Sequence, residues 1–333
     1  MLSETVIHRI LEADGKTLEP YFSLAEETSI KLYGKKIAFY APSFAYYRVL
    51  GHLQNLRKFP TISITGSSCS LKCKHCDGKV LRTMIPATTP QKLIEVCRRL
   101  KAEGAEGCLI SGGCLPGGSV PLERFAEAIA LIKRETGLLI TVHTGLIGPE
   151  AARKLKEAGV DAALIDIIGD NETIREIYNL NATVNDFEDS LRVIKSAGLN
   201  LVPHVLAGLH YGKLRGEVEA LKIISRYSPA TLVIIAFMPI RGTPMGNVPP
   251  PTPLDIARVI LIARLMFPKI PLALGCMRPK GEHRVKTDIL AVKAGINAIA
   301  FPTEEAIKFA EKRGYEIKFY PTCCSQVYMN LTP

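Results

Sequence analysis

Three closely spaced cysteines have the most evident chemistry in this sequence. Cys69, Cys73 and Cys76 are spaced C-x3-C-x2-C and follow directly after the apolar, β-rich run 61–65. Three thiolates on one loop can bind three irons of a cubic 4Fe-4S cluster, which leaves the fourth iron open to a substrate or cofactor. A structural zinc site of the Cys3His type and three buried cysteines are the alternatives. Zinc sites favour paired cysteines far apart in sequence, so this spacing favours the iron–sulfur cluster.

Four further cysteines are candidates for a second, auxiliary iron–sulfur cluster. They are Cys114, Cys276, Cys323 and Cys324. Adjacent cysteines are poor disulfide partners, and an exposed pair would oxidise, so we expect the C-terminal segment to fold back and protect its pair. An exposed tail without chemical importance is the alternative. Cys97 and Cys108 lie within a predicted helix and a predicted strand, where free cysteines are usually buried.

Short apolar runs alternate with helix-period segments from residue 61 onward. The predicted strands are 61–66, 107–112, 138–144, 161–168, 200–207, 231–239, 271–276 and 297–301. Nearly all-apolar strands are typical of a parallel sheet buried on both faces, and eight of them alternating with helices predict an α/β fold, a (β/α)8 TIM-type barrel. We expect an N-terminal helical extension at 1–60, the barrel at 61–315, and a C-terminal cysteine-containing tail over the barrel mouth at 316–333.

Polar residues and glycines follow the predicted strands, where the active sites of such barrels lie. They are Ser111, Gly112, Gly113, His143, Asp166, His204, Gly242, Thr243 and Pro244. The glycine pair lets the backbone approach a ligand closely, although a plain turn is the alternative. Asp166 lies in an apolar strand and needs a partner, either a ligand hydroxyl or an ion pair with a neighbouring strand. A lone histidine on a strand is more often a hydrogen-bonded core residue than a ligand.

The composition of the 333 residues limits the possible classes of protein. The net charge of +10 is spread along the chain without a nucleic-acid-binding motif, and it would suit an acidic protein partner. No apolar stretch approaches the roughly 18 residues of a membrane span. Nine cysteines without a secretion signal predict metal ligation in a reducing, cytoplasmic compartment. The absence of tryptophan and the low glutamine content favour a thermophilic source.

The cysteine spacing resembles the signature of the radical S-adenosylmethionine (SAM) enzymes. The resemblance implies that the open iron binds the amino and carboxylate groups of SAM, which is reductively cleaved to a 5′-deoxyadenosyl radical. His75 stands where the family usually has an aromatic residue, and Cys114 replaces the glutamate of the family's Gly-Gly-Glu motif. Residues 242–245 resemble a segment that lines the SAM pocket of biotin synthase. The cofactor-binding residues implied in this way are His75, Ser111, Gly112, Gly113, Asp166, His204, Gly242, Thr243 and Pro244.

Across residues 35 to 325 the chain is similar to the biotin-synthase-like branch, in particular to archaeal homologues of which some form a two-protein lipoyl synthase. Cys276 stands where biotin synthase has an arginine ligand to its sulfur-donating cluster. Bacterial lipoyl synthase has an additional N-terminal cysteine motif, and residues 1–60 contain no cysteine.

The resemblance implies sulfur insertion into an octanoyl chain on a lipoyl-domain or glycine-cleavage H-type carrier protein. It also implies a homologous radical SAM partner enzyme and an electron donor such as ferredoxin. A single-cluster radical SAM enzyme for carbon-skeleton rearrangement or cofactor assembly, and a non-catalytic iron–sulfur protein, are the alternatives.

Overall fold

Helices and strands alternate along most of the chain in the computed structural model, which describes residues 2–43, 47–49, 52–53 and 57–333. The α-helices are α1 (Glu4–Glu12), α2 (Glu19–Tyr33), α3 (Pro90–Ala102), α4 (Ala126–Thr136), α5 (Pro149–Glu157), α6 (Asn171–Ile177), α7 (Val184–Ser196), α8 (Glu217–Ile224), α9 (Pro253–Met266), α10 (Glu282–Lys293), α11 (Glu304–Lys312) and α12 (Val327–Asn330). The β-strands are β1 (Lys36–Tyr40), β2 (Arg48–Val49), β3 (His52–Leu53), β4 (Thr61–Ser63), β5 (Ile85–Pro86), β6 (Gly107–Ser111), β7 (Leu139–His143), β8 (Ala162–Asp166), β9 (Leu201–Ala207), β10 (Leu232–Ala236), β11 (Leu272–Leu274), β12 (Ala298–Ala300) and β13 (Glu316–Tyr320). Short 3-10 helices span Lys79–Thr83, Leu122–Phe125 and Cys324–Gln326.

All eight strands predicted from the apolar runs are present, and they pair in parallel in the order of the chain. They are β4, β6, β7, β8, β9, β10, β11 and β12. Parallel pairing of consecutive strands requires a crossover between them, and the intervening helices supply it. The predicted α/β, TIM-type fold is therefore confirmed, with the strands in a curled parallel sheet.

Two strands outside the predicted eight extend the sheet beyond β12. β1 pairs in parallel with β12 on one side and with β13 on the other, where Phe39 lies opposite Phe319. One of these strands belongs to the expected N-terminal extension and the other to the expected tail. Their pairing joins segments about 280 residues apart in sequence, which local periodicity does not predict.

The helices bury one face against the sheet, and α3 shows why they form. Thr89 caps the helix by accepting a hydrogen bond from the backbone amide of Lys92, and Pro90 occupies the first turn. The buried positions recur at helical spacing and include Leu93 and Cys97. Cys97 and Cys108 are both fully buried, as predicted. No helix in the described ranges has the length and apolar character needed to cross a bilayer.

A segment near the end of the chain lies inside the curled sheet. After β13, Cys324 and Val327 are buried among side chains of the central strands, including Leu164 of β8 and Val233 of β10. Further on, the Tyr328 hydroxyl donates to the carbonyl oxygen of Asp161, just before β8, at 3.5 Å. The tail therefore runs from the carboxyl ends of the strands into the interior of the fold.

Candidate functional site

A cavity of about 390 Å³ lies at the carboxyl ends of the strands. The predicted site residues that line it are Cys69, Cys73, His75, Cys76, Ser111, Gly112, Gly113, Cys114, Asp166, His204, Cys276, Cys323 and Cys324. Loops that follow parallel strands meet at one edge of a sheet, and this geometry brings distant parts of the chain together. We call Cys69, Cys73 and Cys76 the cysteine loop, and Cys276, Cys323 and Cys324 the second cysteine group.

The cysteine loop follows β4 and is held in place by the end of α6. The Asn179 side-chain amide donates to the carbonyl oxygens of Leu71 and Lys72 at 3.1 and 3.0 Å. The backbone amide of Lys74 donates to the carbonyl of Ile177 at 2.8 Å. These bonds satisfy the loop's backbone and orient its thiols towards the cavity.

Two thiols of the cysteine loop and the ring of His75 lie close enough to share one bound group. The ligand atoms of Cys73, His75 and Cys76 are all within 4.8 Å of one another. A hydrogen bond from Cys73 lowers the pKa of Cys76 to about 4, against the opposing effect of burial. A hydrogen bond from Cys114 likewise lowers the pKa of Cys69 to about 5. Metals bind thiolates, so two of the three cysteines are readily available as ligands.

A buried nitrogen of His75 points to a bound group next to these thiols. Its Nδ1 has no hydrogen-bond partner among the described residues, and its ring centroid lies 5.4 Å from that of Tyr178. Buried polar atoms without a partner are uncommon, because leaving one unpaired costs about 1–3 kcal/mol. The position fits a protein that binds a polar cofactor beside the cysteine loop.

The glycine pair after β6 packs directly against the cysteine loop. The backbone amide of Gly113 donates to the Thr65 hydroxyl at 2.7 Å. A Cβ added at Gly113 would lie 2.0 Å from the carbonyl oxygen of Ser68 and 2.6 Å from the Cα of Cys69, so only glycine fits. The predicted turn therefore forms one wall of the site, and its glycines let the backbone pack closely against the cysteine loop.

Cys114 lies with the cysteine loop and not with the second cysteine group. Its carbonyl oxygen accepts a hydrogen bond from the amide of Ser70 at 2.8 Å, and its thiol is hydrogen-bonded to that of Cys69. The strands that precede these two loops, β4 and β6, are neighbours in the sheet, and this places the two thiols together. The structure therefore places Cys114 beside the cysteine loop, and its part in an auxiliary cluster stays a prediction.

A polar group of three residues lies at the ends of β7, β8 and β9. His143 Nε2 is 3.3 Å from Asp166 Oδ1, and the Tyr178 hydroxyl donates to Asp166 Oδ2 at 3.2 Å. The His143 and His204 rings are 5.6 Å apart. Asp166 thus has protein partners, including the ion pair with a neighbouring strand that was one of its two alternatives. Its contact with a ribose stays a prediction.

Burial and charge set the protonation of this polar group. Burial alone would raise the pKa of Asp166, but the charge and hydrogen bond of His143 outweigh it and hold the pKa below its usual value. Conversely, burial would lower the pKa of His143, yet Asp166 keeps it above its usual value. Burial lowers the pKa of His204 to about 4. At neutral pH, His204 is therefore neutral beside a charged Asp166, whose charge favours the protonated form of His143.

The second cysteine group brings the end of β11 and the tail together. Burial raises the pKa of Cys276 to about 12, whereas a hydrogen bond from Cys324 lowers that of Cys323 to about 7. The hydroxyl of Ser325 and the side-chain nitrogen of Gln326 are buried and lack hydrogen-bond partners within the described ranges. The three thiols line the cavity, whereas Ser325 and Gln326 are not among its described lining residues.

The loop after β10 contributes less to the cavity than the sequence predicts. Ile240 is part of the lining, but among the described residues that line it Gly242, Thr243 and Pro244 do not appear. Gly242 and Pro244 are exposed, and the Thr243 hydroxyl donates to the carbonyl of Ile240 within its own turn at 2.8 Å. The turn supports the cysteine loop from outside, because the amide of Met245 donates to the carbonyl of Lys74 at 3.2 Å.

Tyr178 is a site residue that sequence reasoning missed. It lines the cavity, faces the ring of His75 and hydrogen-bonds to Asp166. It lies one residue beyond α6, so no strand end marks it. Its place in the segment after β8 is the signal that could have found it, since such segments carry the active sites of barrels.

Comparisons with known proteins agree with this arrangement. The model of the radical SAM superfamily matches residues 63–221. Biotin synthase of Hyphomonas neptunium is 27% identical over 258 residues, which cover 73% of this chain and 77% of the relative. Biotin synthase of Rickettsia felis is 28% identical over 248 residues, with 72% and 78% covered.

Solved structures share the fold at low sequence identity. Methylornithine synthase (PylB) has a TM-score of 0.67 at 18% identity and covers 96% of this chain and 94% of its own. HydG, a maturase of the [FeFe]-hydrogenase, has a TM-score of 0.68 at 15% identity, with 97% and 73% covered. The family match, the cysteine loop and the parallel sheet together make this chain similar to proteins of the radical SAM superfamily, and biotin synthases are among the proteins that it resembles.

Proposed function

We propose that this chain is a radical SAM sulfur-insertion enzyme that acts on an octanoyl chain attached to a lipoyl-domain or H-type carrier protein, as one component of a lipoyl synthase. One observation carries the proposal: the second cysteine group lines the same cavity as the cysteine loop. A single-cluster enzyme has no need of three further cysteines there. Sulfur insertion needs a sulfur source within reach of the carbon that reacts.

The first half of the site fits a 4Fe-4S cluster and SAM. The cysteine loop would hold the cluster, and the unpaired Nδ1 of His75 fits a polar ligand beside it. Gly112 and Gly113 would let SAM approach the backbone, with Ser111 next to them. When bound, the cluster and SAM would supply the radical chemistry needed to activate an otherwise unreactive carbon. The protein orients the substrate and keeps water away from it.

An auxiliary iron–sulfur cluster is the second part of the proposed site. The second cysteine group would hold it, and the hydroxyl of Ser325, which is buried without a hydrogen-bond partner among the described residues, would supply an oxygen ligand. Such a cluster supplies sulfur to the substrate. Cys276 follows β11, six strands along the sheet from β4, so the two halves of the site face the cavity from different strands.

The remainder of the cavity suits an alkyl chain. Apolar side chains from four of the central strands line it, namely Leu109, Leu164, Leu206, Val233 and Ile235. An octanoyl group buried there would exchange water contacts for apolar ones. The net charge of +10 would attract an acidic carrier protein and an acidic electron donor such as ferredoxin. Because two carbons must be thiolated, a homologous partner enzyme would perform the other insertion.

The test uses anaerobically reconstituted protein with SAM, a reductant and an octanoylated carrier domain, followed by mass spectrometry. We expect 5′-deoxyadenosine and a thiolated carrier from the parent. The Cys276→Ala/Cys323→Ala/Cys324→Ala variant should form deoxyadenosine without thiolated product. Cys97→Ala is the matched control, because this cysteine is buried in α3 away from the cavity and its loss should leave thiolation unchanged.

Other outcomes favour the alternatives. Thiolated carrier from the triple variant would overturn the role of the second cysteine group in sulfur insertion. Deoxyadenosine without any thiolated carrier from the parent would support a single-cluster enzyme. A cluster without any deoxyadenosine would support a non-catalytic iron–sulfur protein. Iron and labile sulfide in the Cys69→Ala/Cys73→Ala/Cys76→Ala variant give an independent check, because iron that survives there must occupy a second site.

A further inference from the structure

Two histidines and one aspartate on three successive strands form a compact group that neither proposed cluster uses, although the resemblance also implies Asp166 and His204 as residues near SAM. His143 ends β7, Asp166 ends β8, and His204 lies on β9 directly opposite Asp166 in the strand pairing. One ligand atom from each of the three lies within 4.8 Å of the other two. All three side chains line the cavity.

Neighbouring groups hold these side chains in orientations that suit ligands. His204 Nδ1 donates to the carbonyl oxygen of Val202 at 3.2 Å, which leaves Nε2 as the nitrogen with a free lone pair. The Tyr178 hydroxyl donates to one oxygen of Asp166, whereas the other lies 3.3 Å from His143 Nε2. Metal-binding histidines and carboxylates are typically fixed by such outer hydrogen bonds.

We propose that His143, Asp166 and His204 bind one divalent first-row transition-metal ion. Two imidazoles and one carboxylate are a known ligand set for such ions, and they leave further coordination positions open. Here the open positions would face the cavity, where an oxygen donor of the substrate can bind. The ion would replace the proton that His143 and Asp166 share. The site goes beyond the proposed function and needs neither cluster.

The group as described also forms an ion pair, and this sets the competing interpretation. A His–Asp pair supported by a tyrosine can exist without a metal, as a structural contact between strands. In that case Asp166 would satisfy His143 and nothing else would bind. The two interpretations differ in one measurable quantity, which is the affinity for a divalent ion.

The test is a metal titration of the full-length chain after its clusters have been reconstituted and it has been desalted. Binding of Mn²⁺ is monitored by the EPR signal of the free ion, and binding of Co²⁺ is monitored in a second titration by absorption. Mn²⁺ suits oxygen and nitrogen ligands better than thiolates, so it discriminates against the cysteines. We expect one equivalent to bind saturably. His204→Gln and Asp166→Asn should each weaken binding at least tenfold.

His210→Gln is the matched control, because this histidine interacts with Thr173 and Arg215 and is not part of the described lining. The affinity of this variant for Mn²⁺ and Co²⁺ should equal that of the parent. Iron content and a cooperative unfolding transition report whether each variant is folded. If His204→Gln or Asp166→Asn does not fold, His143→Gln takes its place. Absence of saturable binding of both ions to the parent, or equal binding by parent and folded variants, would overturn the proposal. Neither result depends on thiolation of any substrate.

Discussion

The ion pair behind the second cysteine group provides the sharpest test of how the site is held. Arg278 and Asp288 are both 0% exposed, and two guanidinium nitrogens lie 2.8 and 3.1 Å from the carboxylate oxygens. Arg278 also donates to the carbonyl of Gly275 at 2.6 Å, directly before Cys276. Asp288 also accepts from the amide of Thr303 at 2.9 Å. The pair therefore fixes the end of β11 to α10.

Asp288→Asn should lower the free energy of unfolding by about 3–5 kcal/mol, because it leaves a buried guanidinium without a counter-charge. The amide can replace some hydrogen bonds but not the charge. The local consequence is displacement of the segment that carries Cys276. The assay is urea unfolding followed by circular dichroism, together with the iron content of the reconstituted protein.

The control is Glu157→Gln, which removes an exposed ion pair with Arg153 on α5. Exposed pairs contribute about 0–1 kcal/mol, so this variant should unfold like the parent. The argument from burial is refuted if the free energy of unfolding of Asp288→Asn also lies within about 1 kcal/mol of the parent's, which is the range for exposed pairs. Loss of stability in both variants would point to a general effect of lost charge.

Two further predictions concern the cysteine loop and the pH dependence of stability. Gly113→Ala should lower the iron content of the reconstituted protein, because the added methyl would lie 2.0 Å from the carbonyl oxygen of Ser68. Gly117→Ala is the control and should bind as much iron as the parent, because its methyl would have no neighbour within 4 Å. Equal iron content in the two variants would contradict the close approach at Gly113. Burial raises the pKa of Glu217 from 4.5 to about 7, so the folded state holds this proton more tightly than the unfolded state. Stability should then fall as the pH rises from about 4.5 to about 7, by about 3 kcal/mol. In thermal unfolding measured at pH 5 and pH 8, Glu217→Gln should show a smaller loss of stability with rising pH than the parent. Glu219→Gln, at an exposed position, is the control and should lose as much stability as the parent. An unchanged pH dependence in Glu217→Gln would refute the assignment.

Local patterns in the sequence were enough to predict the eight strands β4 and β6 to β12. Runs such as Leu232–Ala236 are apolar throughout because both faces of a parallel strand are buried, so each run marks its own strand. The helices are marked in the same local way, by caps such as Thr89 and by apolar spacing. Strand order followed from alternation, since a parallel neighbour needs a crossover helix.

The pairing of β1 with β12 and β13 could not be predicted from such patterns. A strand of five residues looks the same wherever it lies in a sheet. Its place depends on which unpaired edge can satisfy its backbone groups, and this is a property of the assembled sheet. The same holds for the tail, whose burial depends on the space inside the curled strands.

By itself, the sequence determined the chemistry that is available: a cysteine loop spaced for a cluster, a glycine pair, and spare cysteines after β-strands. Spacing within one loop is preserved when the chain folds, so this information is local. Only the tertiary structure decided the partners. It placed Cys114 beside Cys69, Cys276 beside the tail, and His143 against Asp166. Contacts between distant segments depend on sheet order and on the direction of each side chain at a strand end, and no local pattern encodes either.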